Sequence, residues 1–168
     1  MNLLLDIGNT RLKALWWEAI EQPIAAAAAV QALHHQGQPA AGLAGIDGPR
    51  PRRIAIAQVL GPAAEAALAE ACRARGWPAP QFARSGEHWR GLRNGYAEPA
   101  RLGVDRWLAL MAVWARHPGE PALVALAGTA LTLDAVDRSG QHLGGFIAPG
   151  LWTARQALLG ATRFPVGE

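Results

Sequence analysis

The chain has 168 residues, 51% of them hydrophobic, and a formal net charge of +3. That apolar content excludes a disordered chain and fits one ordinary domain or two small ones, while arginines scattered without a basic block argue against a nucleic-acid partner. Cys72 is the only cysteine, and no apolar run is long enough to span a membrane. We therefore predict a cytoplasmic protein with no disulfide, no cysteine-based metal site and no membrane partner.

The N-terminal segment predicts a β-hairpin. Apolar residues 2–6 and 11–17 flank the turn residues Gly8 and Asn9, a pattern typical of two strands joined by a tight turn. Residues 25–30 predict a third strand, although their many alanines favour helix over strand.

The next segment predicts a strand, a loop and a helix in succession. Residues 34–51 are rich in glycine and proline and predict a loop, and the compact apolar residues 54–59 predict a strand. Residues 62–75 predict a helix, because proline stands at their start and glycine follows their end.

A domain junction is predicted near residue 117. Residues 76–103 carry many glycines, prolines and aromatic residues, which is typical of a long functional loop. A helix is predicted over residues 104–116, and the following His-Pro-Gly sequence ends it. We therefore predict an N-terminal domain over residues 1–117 and the start of a second domain over residues 118–168.

The second half of the chain opens like the first. Strands are predicted over residues 122–126 and 131–136 around a turn at Gly128, and a strand over residues 143–147 leads to a helix after Pro149. A strand-turn-strand with glycine and threonine at the turn thus occurs in both halves, which favours two related sheet domains facing a common cleft.

The first hairpin carries the residue types that phosphate binding needs. Transfer of a phosphoryl group requires backbone amides near the phosphates, hydroxyl donors, a cation and a carboxylate for hydrated Mg²⁺. Gly8, Asn9 and Thr10 supply the first two, Lys13 is the only lysine of the chain, and Asp6 could hold Mg²⁺ directly or through water. An ordinary hairpin with solvated side chains is the alternative.

The order of five short motifs resembles the type III pantothenate kinase family, within the superfamily of acetate and sugar kinases, heat-shock ATPases and actin. The motifs are Asp6-Ile7-Gly8-Asn9-Thr10, Asn94-Gly95-Tyr96 with Pro99, Gly103-Val104-Asp105-Arg106-Trp107, Gly128-Thr129-Ala130-Leu131-Thr132-Leu133-Asp134, and Gly144-Gly145-Phe146-Ile147-Ala148-Pro149-Gly150. The resemblance implies an α/β fold with two ribonuclease H-like (actin-like ATPase) domains around a cleft.

The resemblance also implies an activity, namely the ATP- and Mg²⁺-dependent phosphorylation of pantothenate to 4'-phosphopantothenate in a homodimer, the first step of coenzyme A biosynthesis. The residues implied to bind ATP are Asp6, Ile7, Gly8, Asn9, Thr10, Arg11, Leu12, Lys13 and Thr129. The residues implied to bind pantothenate are Tyr96, Gly103, Val104, Asp105 and Arg106. Asp105 is implied to be the base that accepts the hydroxyl proton; its simpler interpretation is a charge at a helix start.

Two departures from the family pattern affect these expectations. Leu126 stands where many members place an aspartate that binds a monovalent cation, potassium or ammonium, so the sequence predicts no potassium site there. Another ligand, another cation or the absence of this requirement are the alternatives. The family also continues beyond Glu168, which implies that the second domain is incomplete in this chain. A non-catalytic regulatory protein that retains the kinase shell is therefore an alternative function, and a sugar or acetate kinase is another.

The histidines and tryptophans have plainer interpretations. The five histidines, which show no spacing typical of a shared metal, are predicted to be solvated or loop residues: His34, His35, His88, His117 and His142. The helix over residues 104–116 carries an apolar stripe, formed by Trp107, Leu110, Met111 and Trp114, for which we predict burial and a dimer contact.

Overall fold

A computed structural model describes residues 1–18 and 30–161, which form a mixed α/β protein. The chain divides into two compact units, Met1–Arg84 and Ser85–Glu168. Apart from Val30, the strand predicted over residues 25–30 lies outside the described residues. None of the helices within the described ranges is both long and apolar enough to cross a membrane.

The first unit, Met1–Arg84, is built on a five-stranded sheet in the order β3-β2-β1-β4-β5. Its elements are β1 (Asn2–Ile7), β2 (Arg11–Trp17), β3 (Gln31–His34), α1 (Pro39–Gly42), β4 (Ile54–Gln58), α2 (Pro62–Ala74) and β5 (Gln81–Phe82), with a 3₁₀ turn at Leu43–Gly45. The strands β1, β2 and β3 are antiparallel neighbours, and β4 runs parallel to both β1 and β5. The predicted hairpin is confirmed.

The alternation of apolar residues explains how this sheet is covered. Leu3, Leu5 and Ile7 of β1 point to one face and are fully buried, as the two-residue period of a strand requires. The helix α2 packs on that face through Leu68 and Cys72. Burial raises the pKa of the Cys72 thiol. The opposite face of β1 is left for polar side chains at the strand end.

The second unit, Ser85–Glu168, is built on a three-stranded antiparallel sheet in the order β10-β9-β8. Its elements are β6 (His88–Trp89), β7 (Leu92–Arg93), α3 (Val104–Arg116), β8 (Ala122–Ala127), β9 (Ala130–Val136), β10 (His142–Pro149) and α4 (Leu151–Ala161), with a 3₁₀ turn at Pro99–Arg101. The strands β6 and β7 form a small separate hairpin. The observed α3 has the bounds predicted from the sequence.

The apolar stripe of α3 forms the core of the second unit. Trp107, Leu110 and Trp114 are buried and cluster with residues of β8 and β9. The predicted burial is confirmed, but a stripe that is used inside the unit does not support a dimer contact. Because α3 packs on β8 and β9, the compact units divide after Arg84, upstream of the boundary that the sequence placed at residue 117.

The loop predicted over residues 34–51 is partly wrong. The structure places α1 and the 3₁₀ turn inside it, because Pro39 starts a helical turn that buries Leu43 and Ile46 in the core. The glycines and prolines of this segment mark the ends of short elements rather than a continuous loop.

Several large apolar side chains of the second unit lie on its surface. Phe146 and Ile147 of β10 and Leu151 and Trp152 of α4 are each more than half exposed. Exposed apolar side chains are common on protein surfaces, and these four carry no conclusion by themselves.

Candidate active site

The β1–β2 turn forms a short loop whose side chains face solvent. The Gly8 amide donates a hydrogen bond to the Arg11 carbonyl at 3.0 Å, which closes the turn. Asn9 and Thr10 lie at its tip and are exposed. The backbone amides and polar side chains at such a tip can donate hydrogen bonds to an anion.

Asp6 and Lys13 form an ion pair beside this loop. The two residues are directly opposite each other in the β1–β2 register, and Lys13 Nζ lies 2.8 Å from Asp6 Oδ2. Both side chains are about half exposed. The strand end thus presents a carboxylate that can hold a hydrated cation next to an ammonium group that can hold an anion.

The buried side chain of His35 contacts the β1–β2 loop. Its Nε2 lies 2.8 Å from the Gly8 carbonyl oxygen, and its Nδ1 accepts a hydrogen bond from the Gly37 amide at 3.2 Å. The side chain is almost fully buried. His35 lies in the loop after β3, as one of the two predicted interpretations has it, but it is not solvated, because that loop folds the ring under the β1–β2 loop.

Asp105 lies in the first turn of α3. Its Oδ1 accepts a hydrogen bond from the Arg106 amide at 2.8 Å, and its side chain is half-buried. A Cβ atom on Gly103 would come within 2.7 Å of that oxygen, so glycine at this position leaves room for the carboxylate.

Arg106 belongs to a buried ionic network in the second unit. Its Nε and Nη2 donate to the two oxygens of Asp134 at 2.7 and 2.6 Å, and the side chains of both residues are almost fully buried. These hydrogen bonds raise the pKa of the Arg106 guanidinium above its ordinary value. The pair is internal to the second unit.

His142 and Tyr96 complete this network. His142 Nε2 lies 2.8 Å from Asp134 Oδ1, and its ring stacks on Tyr96 with 6.0 Å between centroids and 2° between planes. Arg106 Nη1 donates to the Tyr96 hydroxyl at 3.3 Å. His142 is fully buried, so its interpretation as a solvated residue is also wrong. The network fixes the positions of an arginine and a tyrosine that the motifs assign to substrate.

Gly145 of β10 packs directly against this network. A Cβ atom there would collide with the Leu133 carbonyl and with Asp134 Oδ1, and would lie 2.7 Å from Arg106 Nη2.

We expect Gly145→Ala to destabilise the second unit by about 1–3 kcal/mol, because the added methyl must displace the backbone or the ion pair. Gly160→Ala is the matched control, since Gly160 lies in α4 with no atom within 4 Å of the added Cβ, and alanine there stabilises a helix by up to about 1 kcal/mol. Urea unfolding measures both, and equal stability of the two variants would contradict this packing.

Thr129 lies in the β8–β9 turn, against the first residues of α4. Its carbonyl accepts hydrogen bonds from the Gly150 amide at 2.9 Å and from the Thr153 hydroxyl at 2.7 Å. Thr129 is exposed, and the N-terminus of a helix favours anions. The turn therefore has the features of a second phosphate-binding element.

Leu126 lies directly opposite Thr132 in the β8–β9 register. The Thr132 hydroxyl is buried without a hydrogen-bond partner among the described residues, and leucine offers it none. Within residues 1–18 and 30–161, no cluster of histidine, cysteine and carboxylate side chains could by itself hold a metal ion. Asp6 can supply one ligand to Mg²⁺, which is commonly held by one or two carboxylates together with substrate phosphates.

Comparison with known proteins identifies the family. A family model described as type III pantothenate kinase matches residues 2–164. The chain belongs to the type III pantothenate kinase family. The resemblance inferred from the five motifs is thereby confirmed.

Relatives in this family are identical to the chain at about two fifths of the aligned positions. A type III pantothenate kinase of Cellvibrio japonicus (strain Ueda107) is 43% identical over 158 residues, covering 90% of this chain and 59% of the relative. One of Azoarcus sp. (strain BH72) is 41% identical over 165 residues, covering 96% of this chain and 60% of the relative. The chain thus spans about three fifths of the length of these kinases.

A solved structure supports the fold. A conserved Campylobacter jejuni protein, assigned to the Baf family of transcriptional activators, aligns with 95% of this chain and 60% of its own at a TM-score of 0.57 and 21% identity. At that identity the likeness concerns the fold alone.

The residues that the family motifs assign fall into two groups, one in each unit. The first unit contributes the ATP-binding set of residues 6–13, and the second contributes Thr129 with the pantothenate set. Three further residues were missed: His35, Asp134 and His142. Asp134 stands in one of the motifs, which could have indicated a role, whereas no local pattern distinguishes the two histidines from solvated ones.

Proposed function

We propose that this chain carries out, or forms part of a protein that carries out, the ATP-dependent phosphorylation of pantothenate on its terminal hydroxyl. The observation that carries this proposal is membership of the type III pantothenate kinase family over residues 2–164. The geometry of the described residues agrees with it, since an exposed loop with a cation–carboxylate pair and a half-buried carboxylate at a helix start are both present.

Each group of residues has a proposed role. Asp6 to Lys13 bind the ATP phosphates together with Thr129, and the Lys13 ammonium neutralises phosphate charge. Asp6 holds Mg²⁺, directly or through water, and the ion when bound neutralises charge that develops on the phosphates. Tyr96, Gly103, Val104 and Arg106 bind pantothenate.

Asp105 is the proposed general base. As the pantothenate hydroxyl oxygen forms a bond to the γ-phosphorus of ATP, the bond from that phosphorus to the β,γ-bridging oxygen breaks and ADP leaves. The hydroxyl proton passes to the Asp105 carboxylate. The Arg106 amide binds one carboxylate oxygen, which orients the group towards a bound alcohol.

We also propose the arrangement that the family resemblance implies. Residues 1–117 form a ribonuclease H-like domain of the actin-like ATPase type, residues 118–168 belong to a second such domain, and the active protein is a cytoplasmic homodimer. Because Leu126 provides no oxygen ligand, we propose that no potassium or ammonium ion binds through that position.

Phosphorylation of pantothenate by the purified chain tests the proposed function. We expect ATP and Mg²⁺ to convert pantothenate into a phosphate ester detectable by mass spectrometry, in potassium, ammonium and sodium buffers alike, with acetate and simple sugars left unmodified. ATP-Mg²⁺ binding without transfer to pantothenate in any of these buffers, both by this chain and by any longer protein of which it forms part, would falsify the proposal.

Lys13→Met tests the role of the ATP loop. Loss of a charged hydrogen bond to phosphate weakens binding by about 10- to 100-fold, so we expect the KM for ATP to rise by that factor while the KM for pantothenate stays unchanged. Arg52→Met, which removes an exposed cation of the same unit, is the control and leaves both constants at their original values. Equal KM values for ATP in the two variants would refute the assignment of Lys13.

A further inference from the structure

The buried ring of His35 is fixed in one chemical form by its two hydrogen bonds. A carbonyl oxygen can only accept, so the Nε2 atom that lies 2.8 Å from the Gly8 oxygen carries the proton. An amide can only donate, so the Nδ1 atom that faces the Gly37 amide at 3.2 Å is unprotonated. His35 is therefore a neutral imidazole whose donor points at the β1–β2 loop.

The turn after β3 is shaped to hold the ring there. Gln36 and Gly37 both adopt left-handed backbone conformations, with φ of 47° and 81°, which folds the Gly37 amide back onto the ring. A left-handed conformation is strained for a residue other than glycine. The His35 amide in turn donates to the Thr10 carbonyl at 3.3 Å. Backbone and side chain of His35 thus both hold the same loop.

The direction of the Gly8 carbonyl sets the direction of the next amide. The peptide bonds of the described chain are trans, and in a trans peptide the carbonyl and the following N–H point in opposite directions. Because the Gly8 oxygen points inward to His35, the Asn9 N–H points outward, to the exposed side of the turn tip.

We propose that His35 is a positioning residue, which orients the Gly8–Asn9 peptide so that the Asn9 amide faces a phosphate of ATP. This inference rests on the proposed function, because it assigns the loop to ATP. This role of His35 involves neither residues of the second unit nor pantothenate. Substitution of His35 is therefore expected to affect only nucleotide binding and the β1–β2 loop.

Two amide variants separate the two bonds of the ring. The side-chain nitrogen of glutamine can occupy the place of histidine Nε2, so His35→Gln keeps a donor to the Gly8 carbonyl. The shorter asparagine reaches only the place of Nδ1, so His35→Asn keeps an acceptor for the Gly37 amide and loses the bond to Gly8. Both variants are neutral and polar.

The experiment compares wild type, H35Q and H35N by amide hydrogen exchange, by calorimetric titration with ATP-Mg²⁺, and by the KM values for both substrates. We expect H35N to speed exchange at the Gly8 and residue 35 amides by about tenfold and to weaken ATP binding by a similar factor. H35Q should resemble wild type in both, and the KM for pantothenate should stay constant throughout.

The outcomes distinguish the inference from the proposed function. Exchange and ATP affinity that are the same in H35N and H35Q overturn the positioning role, and so does faster exchange in H35N with unchanged ATP affinity, which indicates a purely structural histidine. A wild-type chain that does not bind ATP also overturns it. ATP binding without phosphate transfer to pantothenate, both by the wild-type chain and by any longer protein of which it forms part, contradicts the proposed function, while the H35N and H35Q titrations still decide the role of His35.

Discussion

Asp105→Asn is expected to lower kcat for pantothenate phosphorylation by about 10²- to 10⁴-fold, the contribution typical of a general base. Asparagine has the same shape and keeps an oxygen that can accept the hydrogen bond from the Arg106 amide, so the start of α3 stays intact. It cannot take up the hydroxyl proton at neutral pH. The KM values for ATP and pantothenate should therefore change little, and steady-state kinetics measure all three constants.

Asp137→Asn is the matched control for this substitution. The Asp137 carboxylate also accepts hydrogen bonds from backbone amides, those of Ser139 and Gln141. The hydrogen bond from the Ser139 hydroxyl, together with those from the amides, lowers the pKa of Asp137. It belongs to the β9–β10 turn and has no proposed contact with substrate. We expect kcat to be unchanged in this control. A similar kcat for Asp105→Asn and Asp137→Asn in an active wild-type background would exclude Asp105 as the base.

Asp134→Ala is expected to reduce the free energy of unfolding of the second unit by about 3–5 kcal/mol, because it leaves the buried Arg106 guanidinium without its counter-charge. It also removes the partner of His142 Nε2. Urea unfolding of the full chain, followed by tryptophan fluorescence, measures the loss. The Arg106–Asp134 pair thus contributes to the fold as well as to the proposed pantothenate site.

Glu98→Ala is the control for burial. Glu98 forms an ion pair with Arg101 in which both side chains are 73% exposed, and such pairs contribute about 0–1 kcal/mol. Asp134→Asn also removes the counter-charge but keeps a hydrogen-bond acceptor for Arg106, so we expect it to lose less stability than Asp134→Ala, and its kinetics are measured once tryptophan fluorescence shows that it is folded. We expect it to raise the KM for pantothenate without affecting the KM for ATP. A stability loss for Asp134→Ala no larger than that for Glu98→Ala would contradict the assigned role of the pair.

Local patterns in the sequence predicted the longer elements, but not β3 or the two-residue strands β5, β6 and β7, of which the last three lie inside the segment predicted as a long loop over residues 76–103. The β1–β2 hairpin follows from apolar alternation on both sides of Gly8-Asn9, and α3 follows from the apolar stripe around Trp107 and Leu110. The same reasoning missed α1, because its four residues are too few to show a helical period. Short elements depend on tertiary packing, in this case the burial of Pro39.

The chemistry of the site was less predictable than its position in the chain. The motifs indicated Asp6, Lys13 and Asp105, because these residues lie at strand and helix ends where local sequence fixes their surroundings. They did not indicate that His142 stacks on Tyr96, since 46 residues separate the two and only the fold brings them together. Contacts between residues distant in sequence, such as that of His35 with Gly8, leave no local pattern.

The ion pair between Asp6 and Lys13 has a consequence for how a nucleotide would be received. Both side chains remain about half in water, so separating them costs only about 0–1 kcal/mol. A phosphate group that binds can pair with the Lys13 ammonium, and the Asp6 carboxylate is then available to bind a cation. Before a nucleotide binds, the ion pair holds both side chains beside the β1–β2 turn. Replacing each partner by a ligand ion therefore requires little rearrangement of the strand end.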